Sequence, residues 1–148
     1  MLKKISMFIT LMFVATLIGC TYSLETAKQD VVLIRTSVQV AVVEFLKYNP
    51  KYTDKVIEIT SQIVEDADNN FQTLEATKNF VIDRIDFNKL EPAEKILVLN
   101  LIDSLEIETS RFIQMKIAEN SDITPEETAK IIKVVVSWIR DSAMLMKM

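Results

Sequence analysis

From Leu24 onward the apolar residues recur at helical spacing. Leu24, Ala27, Val31, Ile34, Val38, Ala41, Phe45 and Tyr48 are separated alternately by three and four positions, which lines them along one face of an α-helix. Val32, Leu33, Val40, Val42, Val43 and Leu46 widen that stripe. The pattern therefore predicts a first helix that is central and buried on much of its circumference. Its β-branched stretch Val38–Val43 could suit a strand, but the sustained spacing and the lack of turn residues favour helix.

Asn49-Pro50 ends this helix and opens the next. A residue before Pro is disfavoured in the helical region, while Pro is accepted at the first helical position and Asn can cap it. Tyr52, Val56, Ile59, Ile63 and Ala67 form a second stripe, and Asp66 to Asn70 reads as a polar connection. A shorter helix is expected over Thr73 to Ile85, with Leu74, Phe80, Val81 and Ile85 inward. Asp86 to Glu91 reads as a loop, and Pro92 opens a fourth helix that offers Val98, Leu101, Ile102, Leu105 and Phe112 to the core. Its other face carries Asp103, Glu106, Ser110 and Gln114. Thr124-Pro125-Glu126-Glu127 has the form of a capping box, in which the Thr and Glu side chains satisfy otherwise orphan backbone donors. Ile131, Ile132, Val135, Trp138 and Ile139 follow inward, with Lys130, Lys133, Ser137 and Arg140 on the opposite face. The expected fold is all-α, a single-domain bundle of four to five helices over residues 24–148.

The first nineteen residues follow a different rule. Lys3 and Lys4 precede an almost uncharged stretch from Ile5 to Thr16, the layout of an export signal. At fifteen residues to Gly19, with Ser6, Thr10 and Thr16 inside it, the run is short of the about 20 that a membrane span needs. It ends in Leu17-Ile18-Gly19-Cys20, which contains the only Gly and the only Cys of the chain. This ending resembles the lipobox of bacterial lipoproteins. The resemblance implies cleavage between Gly19 and Cys20, acylation of Cys20, and a short tether over residues 20–23. The family carries three acyl chains, and two signals already suffice for stable anchoring. Thr21 and Tyr22 follow the Cys instead of the Asp that the family uses for inner-membrane retention. The implied address is the outer membrane, facing the periplasm, in a host with two membranes.

Composition narrows the chemistry. Without Lys3 and Lys4 the chain has 15 basic and 21 acidic side chains, a net charge of −6. Such a domain is repelled by phosphate backbones, so nucleic-acid binding is not expected. There is no His, which removes the commonest neutral-pH acid–base group and metal ligand. With Cys20 used for lipid, neither a disulfide nor a Cys nucleophile remains. Asp66, Asp68 and Asn70 match the opening of a calcium-binding helix–loop–helix, but Phe71 stands where that loop needs Gly and Thr77 where it needs a bidentate Glu. The acidic pairs Asp83/Asp86 and Asp103/Glu106 sit beside basic residues and read as solvated faces. No catalytic residue, cofactor or metal is expected.

Three segments of the mature part loosely resemble small all-helical proteins of tailed bacteriophages: the Val38–Phe45 helix leading to Asn49-Pro50, Ile85–Ala93, and Val135–Ile139. That resemblance implies a helical fold and a phage origin, without a catalytic motif. The expected function is a lipid-anchored, non-enzymatic envelope protein that binds another envelope or phage protein, with superinfection exclusion or lysis as the roles such a place suits. The alternative is a small membrane effector that keeps its N-terminal helix, as antiholins do; an envelope hydrolase ranks below both. Trp138 is expected in the core, with partner contact as its other role. The Met-rich ending, Met144, Met146 and Met148, is read as a frayed last turn or, alternatively, as an adaptable contact surface.

Overall fold

The structure, a computed structural model, describes residues 24–120 and 122–148. Among them are five α-helices and no strand: α1 Leu24–Tyr48, α2 Thr53–Asn70, α3 Leu74–Asp83, α4 Pro92–Asn120 and α5 Pro125–Lys147. Short 3-10 turns at Pro50–Tyr52 and Phe87–Lys89 make two of the connections. The fold is an all-α single-domain bundle. Gly19, Cys20 and the rest of the segment expected to be an export signal lie outside the described residues.

Ion pairs fix the directions of the helices. Asp54 meets Lys147 at 2.8 Å and Asp68 meets Lys133 at 3.2 Å, so α2 and α5 run antiparallel along their full length. Lys51 pairs with Glu94, which sets the start of α4 beside the end of α1. α1 and α5 therefore point one way, α2 and α4 the other. α5 packs against α1, α2 and α4, so the central element is α5.

The expectation that α1 would be central and buried on much of its circumference is corrected. Its buried face is Ile34, Val38, Val42 and Leu46, four positions at steps of four. Val32, Leu33 and Val40 are 62%, 58% and 53% exposed, and Tyr48 is exposed too. Neighbours cover α1 from one side only, so its apolar circumference is wider than the face they bury. Leu46, Ile63 and Ile132 are among the most deeply buried side chains, each contributing about 1.5–3 kcal/mol before chain entropy is counted.

The boundaries also shift. Pro50 opens a 3-10 turn, and α2 starts at Thr53. Asn49 makes no N-cap bond; its amide donates back to the Phe45 carbonyl at 3.0 Å and closes α1 instead. Asp66 to Asn70 continue α2 as helix, and the chain turns at Phe71, which is buried and meets the Phe80 ring edge-on at 4.9 Å. The capping box is formed: the Glu127 N–H donates to Thr124 Oγ1 at 3.2 Å, and the Thr124 N–H donates to Glu127 Oε2 at 2.9 Å. Pro92 and Pro125 stand at the first positions of their helices. The last turn is helical to Lys147 and is tied to α2 through Asp54, rather than frayed.

Candidate functional site

α2 and α4 flank α5 but barely touch each other. The short helix α3 bridges the gap between them. Behind it lies a half-open cavity of about 330 Å³. α2 contributes Val56, Ile59 and Ile63 to its wall, α3 contributes Leu74 and Val81, α4 contributes Val98, Leu101, Ile102 and Leu105, and α5 contributes Ile132, Val135, Val136 and Ile139. All but Val136 are residues that helical spacing assigns to inward faces. Their helices converge without closing on one another, because α3 spans only ten residues and has no fully buried side chain.

The polar groups of the wall are largely satisfied elsewhere. Thr60 and Thr109 are buried and line the cavity. Their hydroxyls donate to their own helices, Thr60 to the Val56 carbonyl at 2.6 Å and Thr109 to the Leu105 carbonyl at 2.7 Å. That leaves their methyl groups as wall. A wall of this kind offers water few hydrogen bonds and favours apolar guests. Tyr52 is the exception. Its buried hydroxyl has no hydrogen bond of ordinary geometry among the described residues. It nevertheless lies near enough to Glu94 to add to the stronger effect of Lys51, whose ammonium holds the Glu94 carboxyl below the usual range.

Charges stand around the opening. Lys78 on α3 reaches Asp103 at 3.0 Å and Glu106 at 2.6 Å on α4, and the two carboxylates raise its pKa. The acidic pair Asp103/Glu106 thus serves as a clasp that holds α3 over the cavity. Lys55 pairs with Glu58, and Lys89 with Asp86. Arg84 lies over the Phe80 ring, 4.7 Å from its centroid, and forms no ion pair among the described residues.

The residues singled out from sequence do not gather here. Trp138 is half-buried, packs on the core of α1 and α4, and stacks on Phe112. Met144 and Met146 are exposed, and Met148 is fully so. At 100° per residue Met144 and Met146 fall on nearly opposite sides of α5, and Met148 follows the end of that helix, so with Trp138 the four side chains form no single surface. Asp66, Asp68 and Asn70 lie in the last turns of α2, where they cannot wrap an ion. Among the described residues no three acidic, His or Cys side chains converge. The cavity itself escaped the sequence reading, since no local pattern marks a gap between two inward faces.

A second feature is the outward face of α1. Leu33 and Val40, seven residues apart, share it with Thr36, whose hydroxyl folds back onto the Val32 carbonyl at 2.8 Å. No protein-family model, curated protein or solved structure matches this chain.

Proposed function

We propose that this chain is a lipid-anchored, non-enzymatic protein of a bacterial envelope that works by binding another envelope or phage protein. The observation that carries the reading is the outward face of α1, where Leu33 and Val40 are more than half exposed on a well-formed helix. Two apolar side chains two turns apart, with the Thr36 methyl between them, suit an apolar stripe on a partner helix. Monomeric surfaces carry single exposed apolar residues routinely, whereas contiguous ones mark contact sites. Anchoring through Cys20 would hold this face close to the membrane, because only residues 20–23 separate the lipid from α1.

Two experiments test the proposal. Metabolic labelling with a fatty acid should place lipid on Cys20 and remove residues 1–19; an unlabelled product that retains Met1 would favour the uncleaved membrane effector. No described helix is long and apolar enough to cross a membrane, so that alternative rests entirely on the first 23 residues. A photoreactive residue at position 33 or 40 in intact cells should crosslink a different protein. Leu33→Glu with Val40→Glu should abolish capture by such a residue at position 36 while the melting temperature holds. A crosslink only to a second copy of the chain would overturn the reading.

A further inference from the structure

We infer that the cavity between α2, α4 and α5 is a binding site for one single-chain fatty acid, with its carboxylate at Arg84 on the rim and its alkyl chain among the aliphatic side chains. This goes beyond the protein-binding reading and stands on different residues.

Shape comes first. At about 330 Å³ the cavity is at the small end of the about 300–1,000 Å³ range of ligand sites. The lining on α4 runs from Val98 to Thr109, about 17 Å at helical rise, a length that one extended alkyl chain can follow. The wall is aliphatic, and its two buried threonines spend their hydroxyls on their own helices. A polar ligand would lose hydrogen bonds to water with nothing in return, whereas an alkyl chain loses none.

Charge supplies the other end. The lining holds Lys55, Lys78, Arg84 and Lys89 together with Asp86 and Glu106, and of its cations only Arg84 stands without a carboxylate among the described residues. Arg84 has no carboxylate partner among the described residues and is held in place by the Phe80 ring. The Lys55–Glu58 and Lys89–Asp86 pairs are solvent-exposed. Pairs of this kind are weak and exchange readily, so either lysine can turn to a ligand carboxylate. Entry is through α3, which no fully buried residue holds down and which the half-buried Lys78 clasp fastens to α4.

The test uses cells expressing the full chain and fed a palmitic-acid analogue that bears a diazirine in its chain and a terminal alkyne. After irradiation, adducts are mapped by peptide mass spectrometry. The expected adducts are on lining peptides of α2, α4 and α5, with the mass of the free acid, separate from any label on the Cys20 peptide. Leu101→Trp, which fills the cavity, should lower them about tenfold, the size of a modest loss in affinity. Arg84→Glu should lower adducts of the acid but not of the matching fatty alcohol. Since Arg84 is exposed, that arm stays decisive even if Leu101→Trp melts early. Adducts of phospholipid mass at the lining, adducts confined to exposed residues such as Leu33, or equal labelling in Arg84→Glu would overturn the inference. None of these outcomes alters what a photoreactive residue on α1 captures, so the two readings fail separately.

Discussion

The Phe112 and Trp138 rings stack 10° from parallel with their centroids 5.9 Å apart, joining the C-terminal half of α4 to the middle of α5. Their helices otherwise touch sparingly, because the cavity separates much of their length. The stack is therefore a principal tie between them, and aromatic pairs add about 0.5–1.5 kcal/mol beyond the area they bury. Trp138→Ala is expected to cost about 3 kcal/mol, the lower end of the range for buried aromatics because the ring is half-buried. The melting temperature should fall by about 10 °C, while Trp138→Phe should recover most of it. A Trp138→Ala protein with unchanged melting would show that the ring serves a contact outside the bundle.

Thr124→Ala removes one half of the capping box at the start of α5. The Glu127 N–H would lose its acceptor, and Glu127 would lose the hydroxyl that it also accepts from, at 3.1 Å. The expected cost is about 0.5–2 kcal/mol, measured by chemical denaturation. Thr124→Ser should be nearly neutral, since it keeps the oxygen that does the capping. Because Leu33 and Val40 lie on another helix, partner capture by α1 should survive both changes.

Three carboxylates make stability fall with acid. The Thr124 N–H and hydroxyl hold the Glu127 carboxyl below its usual range, Lys51 does so for Glu94, and Lys89 for Asp86. A group whose pKa is depressed by folding stabilises the native state above its unfolded pKa and ceases to do so as pH falls through its folded pKa. The melting temperature should therefore decline as pH drops from neutral through and below the usual carboxylate range. Glu127→Gln should show a smaller decline than the unchanged protein. An identical slope in the two would show that the capping carboxylate is no better bound folded than unfolded.

α3 should be the least protected helix in hydrogen exchange. It has no fully buried residue, and local opening is cheapest where few apolar contacts are lost. Lys78→Met should speed exchange in Leu74–Asp83 and leave the amides of α5 unchanged, because it removes the bonds to Asp103 and Glu106 without touching the main core. Equal protection of α3 and α5 would mean that α3 is no lid but part of one cooperative unit.

How much of this was legible in the sequence differs from element to element. The α5 start is an exchange of bonds among residues 124–127, so four letters sufficed to place it. Pro92 and Pro125 marked helix starts for an equally local reason, since a ring that fixes φ and lacks an N–H fits there best. Phe71 was harder. It stands among polar residues, and only its meeting with Phe80 across a chain reversal makes it core.

What the sequence determined by itself is whatever neighbours in the chain decide. Helical spacing, caps and the absence of Gly after residue 19 were enough for an all-α bundle. α1 shows where that authority ends. It is apolar on so much of its surface that periodicity could not choose between a buried and a half-exposed helix, and the choice fell to which neighbours packed on it. Ile34, Val38, Val42 and Leu46 are covered because α4 and α5 lie on that side; Leu33 and Val40 face outward because no described helix covers them. The clasp from Lys78 to Asp103 and Glu106 joins residues 25 and 28 apart in the chain, and the cavity needs four helices at once. Both belong to the tertiary structure alone, because a gap between two apolar faces leaves each face's own pattern unchanged.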